Sequence, residues 1–143
     1  MSNICRAKRV DTQEWVKGYY VHDQHDYIVE NLNMRVRGTA ELTNAYMVSS
    51  NTVNHCSGKM DNRGIEICEG DIVEEYHTIK YLVRYGGFEG AVGLGYYYGL
   101  GFYLERIGDP DHRIPLSPVR IEKGNYTVIG NFYDNKELLK VEE

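Results

Sequence analysis

The stretch GKMDNRGIEICEGDIVEEYHTIKYLVRY, residues 58–85, decides the fold of this chain. Its Asp61-Asn62-Arg63-Gly64 segment is typical of a reverse turn, because Asx side chains bond their own backbone and glycine adopts positive φ. Ile65 and Ile67 then alternate with polar residues, and Tyr81-Leu82-Val83-Arg84-Tyr85 alternates again. This period of two is typical of a strand with one buried face. The stretch therefore predicts a β module built from strands and tight turns.

A second turn interrupts the same stretch. Glu69-Gly70-Asp71 ends one apolar run, and Ile72-Val73 starts the next. We interpret Asp71 as an acceptor for local backbone amides, which requires no chemistry beyond fixing the turn. The predicted structural turn motif is Asp61, Gly64, Glu69, Gly70 and Asp71.

These residues also carry a family resemblance. The pattern Asp61-Asn62-x-Gly64-x-Glu66-Ile67-x-Glu69-Gly70-Asp71-Ile72-Val73 resembles the central signature of the YopX-like family of phage and prophage proteins. Arg6-Ala7-Lys8 with Trp15-Val16-x-Gly18-Tyr19 resembles the opening of that family, and Val128 to Asn135 resembles its closing strand. The family often has proline after the final asparagine, where this chain has Lys136. The resemblance implies a phage or prophage origin and a mainly β fold, and it supplies no activity or catalytic residue.

The composition agrees with a β fold. The chain has 143 residues, with 13 Tyr and 15 Gly, and these residue types favour strands and turns. We predict a mainly β protein with little helix, in which a small SH3-like barrel around residues 58–107 carries an additional N-terminal β subdomain. The chain is expected to be a single domain, residues 1–143, with possible subdomains at 1–57 and 58–143. Short helical turns are expected near Thr52 and after Asp134 or Asn135.

Charge and cysteine content narrow the class of protein. The net charge of −5 disfavours non-specific nucleic-acid binding, which needs clustered cations. The three cysteines, Cys5, Cys56 and Cys68, show no framework spacing, so we expect reduced thiols in a protein of the bacterial cytoplasm. The N-terminal residues lack the apolar core of a signal peptide, and no apolar run has the length of a membrane span.

The segment GGFEGAVGLGYYYGLG, residues 86–101, is the most unusual part of the sequence. It lacks the Lys-Ser/Thr of a phosphate-binding loop and does not open a helix as a dinucleotide fingerprint does. Because tyrosine is enriched at interfaces, we interpret the segment as a packed or oligomer-forming strand, with a mobile loop as the alternative. The possible binding residues are Tyr96, Tyr97, Tyr98 and Phe102.

Three other clusters contain side chains that can bind metal or act in catalysis, but their spacing favours simpler explanations. His22 and Asp26 should share one face of a hairpin, while Asp23 and His25 share the other, so a metal site is not expected there. His55, Cys56 and Cys68 lack zinc spacing. The acidic cluster is interpreted as a solvated strand face with turn caps, and consists of Glu66, Glu69, Asp71, Glu74 and Glu75. No metal, cofactor or catalytic residue is predicted.

These observations favour a non-enzymatic accessory protein that acts by binding or assembly. We expect a homo-oligomer, with any other protein partner unknown and no membrane association. One alternative is a nucleic-acid-binding β-barrel that stacks bases on tyrosines among cations; those cations are Arg6, Lys8, Arg9, Arg35, Arg37 and Arg84. A second alternative is a small-ligand binder or enzyme, with its site at the Gly/Tyr segment or at residues 22–26.

Overall fold

The computed structural model describes residues 4–34, 40–92, 95–117, 121 and 125–140, and gives only the backbone for 31–34, 40–43, 90–92 and 95–97. The strands are β1 (Ile4–Lys8), β2 (Trp15–Asp23), β3 (His25–Met34), β4 (Ala40–Met47), β5 (Asn54–Met60), β6 (Glu66–Cys68), β7 (Asp71–Glu75), β8 (Ile79–Val92), β9 (Gly95–Arg106), β10 (Arg113–Pro115) and β11 (Tyr126–Asn131). Short 3₁₀ helices occur at Ser50–Thr52 and Lys136–Leu139.

The predicted mainly β fold with little helix is confirmed. The strands form two antiparallel sheets, ordered β4-β3-β2-β1-β5-β6 and β10-β9-β8-β7-β11. The predicted SH3-like barrel is not confirmed, because within the described strands each sheet is open and ends in two edge strands. The chain divides into two compact units, residues 1–56 and 57–143, and each is described separately below.

The first unit is built on the predicted hairpin of β2 and β3. Cross-strand partners run from Tyr19↔Val29 to Asp23↔His25, and the chain reverses at Gln24, which has φ 62°. In β1, Cys5 and Ala7 are buried while their neighbours are half-buried. Their inward-facing side chains pack with Ile28 and Val48 into one apolar cluster, as expected for strands with one buried face.

The second unit has its own apolar core beneath the five-stranded sheet. The cluster contains the fully buried Ile67, Val73, Val83, Leu104 and Tyr126, among others. The alternation read from residues 81–85 is confirmed, because Tyr81 and Val83 are buried while Arg84 is exposed.

The two longest strands extend beyond the rest of their sheet. Pairing between β8 and β9 runs from Tyr81↔Arg106 to Val92↔Gly95. β7 pairs with β8 only at residues 79–82, and β10 pairs with β9 only at residues 103–105. Residues 84–92 and 95–102 therefore form a two-stranded extension, which we call the ribbon.

The expectation that all three cysteines are reduced is wrong. Cys56 and Cys68 are both disulfide-bonded, whereas Cys5 is a buried thiol outside the disulfide. Spacing along a sequence does not show which sulfur atoms meet, because pairing depends on where the fold places the Cβ atoms.

Candidate binding surface

One face of the ribbon carries a row of apolar side chains from the core into solvent. Cross-strand partners point to the same face of a sheet, and every second pair along the ribbon therefore belongs to this row. Val83 and Leu104 are fully buried at its inner end, and the rings of Tyr85 and Phe102 meet edge to face with centroids 4.8 Å apart. We call this row the stripe: Val83, Tyr85, Phe102, Leu104, Leu100 and Tyr98.

The outer end of the stripe is exposed. Leu100 is 85% exposed and Tyr98 is 79% exposed, the two highest values among the large apolar residues described. They stand opposite Gly87 and Glu89. Scattered apolar residues are ordinary on protein surfaces, but a row continuous with the core is typical of a surface that contacts a partner.

The opposite face of the ribbon is packed internally. Phe88 stacks on Tyr103 with centroids 4.6 Å apart, and the Phe88 ring also covers Gly99. A Cβ atom on Gly99 would lie 2.6 Å from Cε1 of Phe88, so this position requires glycine for close approach. A surface cavity of about 380 Å³ lies beside this contact, lined by Gly87, Phe88, Glu89, Tyr98, Gly99 and Arg113.

Asp61 organises the turn that follows β5. Its Oδ1 accepts hydrogen bonds from the amides of Arg63 at 2.8 Å and Ile65 at 2.9 Å. Its Oδ2 accepts a third, 2.9 Å long, from the amide of Val128 in β11. The side chain is fully buried, and Gly64 adopts the left-handed backbone of the predicted turn, with φ 80°. The carboxylate therefore joins the turn to a strand more than sixty residues away in sequence.

The pKa of Asp61 shows that it stays ionised. Burial raises the pKa, but the amides of Val128, Ile65 and Arg63 and the charge of Arg63 outweigh it, so the net pKa lies below the ordinary 3.8. A carboxylate that accepts several backbone hydrogen bonds behaves in this way. A catalytic acid would need the opposite shift, so Asp61 is suited to holding structure.

The second predicted turn shows the same use of polar groups. Oδ2 of Asp71 accepts a 2.8 Å hydrogen bond from the amide of Cys68, and Asp71 is buried. Gly70 adopts φ 87°, and its carbonyl accepts a 2.7 Å hydrogen bond from the amide of Phe132. Glu69 is half-buried between them. Both turns are thereby connected to the closing segment of the chain.

Comparison with protein families gives a match to the family described as YopX protein over residues 5–140. The chain belongs to the YopX family. The resemblance stated from three blocks of residues is therefore confirmed. Comparison with curated proteins gave no match. Among the described residues, no helix is long and apolar enough to cross a membrane.

In this YopX-family chain, the central and closing blocks meet through hydrogen bonds. Beyond the Asp61 contacts, the Asn62 side chain donates to Oδ1 of Asn125 at 2.7 Å and accepts from Thr127 Oγ1 at 3.0 Å. The Asn62 amide donates to the Tyr126 carbonyl at 3.0 Å. The polar residues that make the signature recognisable thus hold two distant segments together.

The tip of the β2–β3 hairpin has the predicted arrangement of faces. His22 lies across from Asp26, and Asp23 lies across from His25. Nδ1 of His22 is 2.9 Å from Oδ1 of Asp26, and the Tyr20 hydroxyl donates to the same oxygen. Hydrogen bonds from Tyr20 and then His22 hold the pKa of Asp26 below its ordinary value. The described residues at this tip do not form a group of three metal ligands.

Three of the cations named for the nucleic-acid alternative lie close to aromatic rings of the first unit, whereas Arg84 lies 3.7 Å from Glu105. The Arg6 guanidinium is 4.9 Å and the Lys8 ammonium 5.4 Å from the centre of the Trp15 ring. Arg9 lies over Tyr46 at 4.4 Å, and it also contacts Asp11 at 2.7 Å. Arg35 and Arg37 lie outside the described residues. These contacts are cation–π pairs within the chain, and base stacking stays a prediction.

Two of the four predicted binding residues lie on the stripe. Tyr98 and Phe102 lie on the stripe, whereas the side chains of Tyr96 and Tyr97 are outside the described part of the structure. Sequence reasoning missed Leu100 as a candidate. The i, i+2 spacing of Tyr98, Leu100 and Phe102 is a signal that they share a face, but the spacing does not show that the core ends at Phe102 and leaves Leu100 exposed.

Proposed function

We propose that this YopX-family protein is a non-enzymatic module that works by assembly into a homo-oligomer through the stripe. The observation that carries the proposal is the exposure of Tyr98 and Leu100 on a strand pair continuous with the core. Apolar surface removed from water contributes roughly 25 cal/mol per Å², so covering two large side chains in each copy favours association.

The signature residues support a non-enzymatic role. Asp61 and Asp71 accept hydrogen bonds from backbone amides of their own chain, and this explains their presence without catalysis. Among the described residues, the ribbon carries the two most exposed large apolar side chains, Leu100 and Tyr98, and its apolar character suits binding better than acid–base chemistry.

The test is the molar mass of the full chain in solution, measured by light scattering after gel filtration over a concentration series. We expect an oligomer for the native protein and a monomer for Leu100→Glu, because a charge at the centre of an apolar contact is costly to desolvate. Lys140→Gln, at an exposed residue directly after the last 3₁₀ helix, lowers the net charge by one unit, as Leu100→Glu does, and should leave the mass unchanged. A native monomer at high concentration, or an oligomer that tolerates Leu100→Glu, would overturn the proposal.

A small-ligand binder is the second candidate, favoured by the cavity beside Phe88 and Gly99. Its volume of about 380 Å³ lies within the range of ligand pockets. Native mass spectra of the gently purified protein should then show excess mass, which Gly87→Leu would remove by filling the cavity, since a side chain at Gly87 meets open space. A bare mass in these spectra removes this candidate and leaves assembly.

A further inference from the structure

We infer that two copies of this chain join edge to edge through β9, so that their ribbons form one continuous antiparallel sheet around Tyr98, Gly99 and Leu100. This inference rests on the proposed assembly through the stripe and specifies how it occurs. It assigns the contact to the backbone of the β9 edge as well as to the apolar side chains.

The backbone of β9 presents its polar groups on alternate residues. The Phe102 carbonyl accepts a 3.1 Å hydrogen bond from the amide of Leu116, and the Arg106 amide donates a 3.0 Å bond to the His112 carbonyl. Even-numbered residues therefore direct their N–H and C=O groups away from β8. The register with β8 continues without a shift to Gly95. The backbone N–H and C=O groups of Tyr98 and Leu100 therefore point to the same outer edge. Among the described residues, β10 pairs with this edge as far as Tyr103, and Leu116 adds the bond to Phe102.

The sequence of this edge lacks the usual protection against pairing. Edge strands commonly carry charges or proline, which prevent another strand from adding to them. From Gly95 to Leu104 this strand has no charged residue and no proline. Two identical edges can therefore approach without charge repulsion, although the whole chain has a net charge of −5.

Antiparallel pairing makes the edge complementary to itself. A two-fold axis perpendicular to the ribbon at Gly99 places Tyr98 of one copy beside Leu100 of the second copy, and Leu100 beside Tyr98. Directly opposite residues share a face, so all four exposed side chains then lie together on the stripe side. An isologous contact of this kind closes as a dimer, and this closure favours a second copy over an unrelated strand.

Gly87 provides room for this cluster. It lies opposite Leu100 in the ribbon. A Cβ atom added at Gly87 would have no atom of the chain within 4 Å. Packing within the chain requires glycine at position 99, but neither packing nor a left-handed backbone requires glycine at position 87. A large side chain from the second copy can lie against this open backbone.

The decisive experiment compares Leu100→Pro with Leu100→Ala in the full chain. Proline removes an outward N–H and leaves the bonds to β8 intact, so it blocks edge pairing, whereas alanine keeps the N–H and removes most of the side chain. We expect Leu100→Pro to abolish the oligomer and Leu100→Ala to weaken association by about tenfold. Circular dichroism and thermal unfolding establish that each variant is folded.

Oxidative crosslinking keeps the test decisive even if Leu100→Pro does not fold. Tyr98→Cys and Leu100→Cys are prepared separately and then mixed. The inferred register places these positions directly opposite and leaves identical positions diagonal, roughly 7–8 Å apart. The mixture should therefore crosslink faster than either variant alone, with little background from the buried Cys5.

Two outcomes overturn the inference but leave the proposed function standing. One is an oligomer that is lost in Leu100→Glu but unaffected by Leu100→Pro, which would show side-chain docking without edge pairing. The other is an oligomer in which the mixed cysteine variants do not crosslink preferentially. An oligomer that tolerates every change at Leu100 would instead overturn the proposed function together with the inference.

Discussion

The Asp61 turn and the β8–β9 ribbon use their distinctive residues in opposite ways. At the turn, a buried carboxylate accepts hydrogen bonds from three backbone amides, and each of its contacts lies within the chain. On the ribbon, Leu100 and Tyr98 extend an apolar row beyond the core into solvent. The turn is satisfied by the fold, whereas the ribbon retains apolar surface that the described fold leaves exposed.

This difference separates residues that identify the family from residues suited to binding. An acidic motif invites a catalytic interpretation, yet here its hydrogen bonds are structural. The glycine- and tyrosine-rich ribbon has no recognisable motif, yet it presents the surface suited to a partner. Replacing residues in the two regions should therefore have different consequences, since the turn residues support folding and the ribbon residues are proposed to support association.

The largest expected effect on stability is that of Asp61→Ala. It leaves three amides of the turn and β11 without their acceptor, and we expect a loss of about 3–5 kcal/mol in the free energy of unfolding. Urea denaturation followed by tyrosine and tryptophan fluorescence measures this loss. Asp109→Ala is the matched control, because Asp109 lies in an exposed turn and should change stability by no more than about 0.5 kcal/mol. Equal losses in the two variants would contradict the structural role of Asp61.

An intermediate effect is expected for Gly99→Ala, with Gly87→Ala as its pair in the same ribbon. The added methyl group at Gly99 collides with the Phe88 ring, and overpacking of this kind costs about 1–3 kcal/mol. At Gly87 the methyl group meets open space, and the reduced freedom of the unfolded chain should raise stability by about 0.5 kcal/mol. Thermal unfolding of the two variants checks whether Gly99→Ala is less stable than Gly87→Ala. A larger loss at Gly87 would show that the two faces of the ribbon are assigned incorrectly.

The smallest expected effect is the pH dependence of the stability that Asp61 contributes through the turn. The folded-state pKa of Asp61 lies below the ordinary 3.8, so the unfolded chain binds its proton more readily than the folded protein does. The stabilisation is complete above the ordinary pKa and is lost as the pH falls through the lowered value. The difference in unfolding free energy between the native protein and Asp61→Ala should therefore narrow below about pH 4. A difference that stays constant down to pH 2 would show that the carboxylate charge does not act in the turn.

The local pattern predicted the strand elements well but left their extent open. Alternation in residues 81–85 and the Asp61–Gly64 turn both follow from short-range rules, since strand faces and Asx turns depend on neighbouring residues. The predicted SH3-like barrel is not confirmed, and short-range rules could not decide this point, because closure depends on which edges pair across the chain. The bonding of Cys56 and Cys68 was missed for a related reason, as local spacing does not report distances in the folded chain.

The candidate surface was only partly predictable. Tyr98 and Phe102 were selected from an aromatic run, but Leu100 was not, because leucine in a strand usually faces a core. Its exposure arises because β9 continues beyond Leu104 and Phe102, the residues of this strand that reach the core. How far the core extends is a property of the folded unit and cannot be read from the strand alone.

By itself, the sequence determined the family, the β class and the turn residues, because these depend on residue types at short, ordered spacings. Only the tertiary structure decided that Asp61 bonds to Val128, that Cys56 and Cys68 are oxidised and that Leu100 lies in solvent. Each of these depends on contacts, or on missing contacts, between segments far apart in the chain. Such contacts are set by packing the whole set of strands and not by the residues of any one strand.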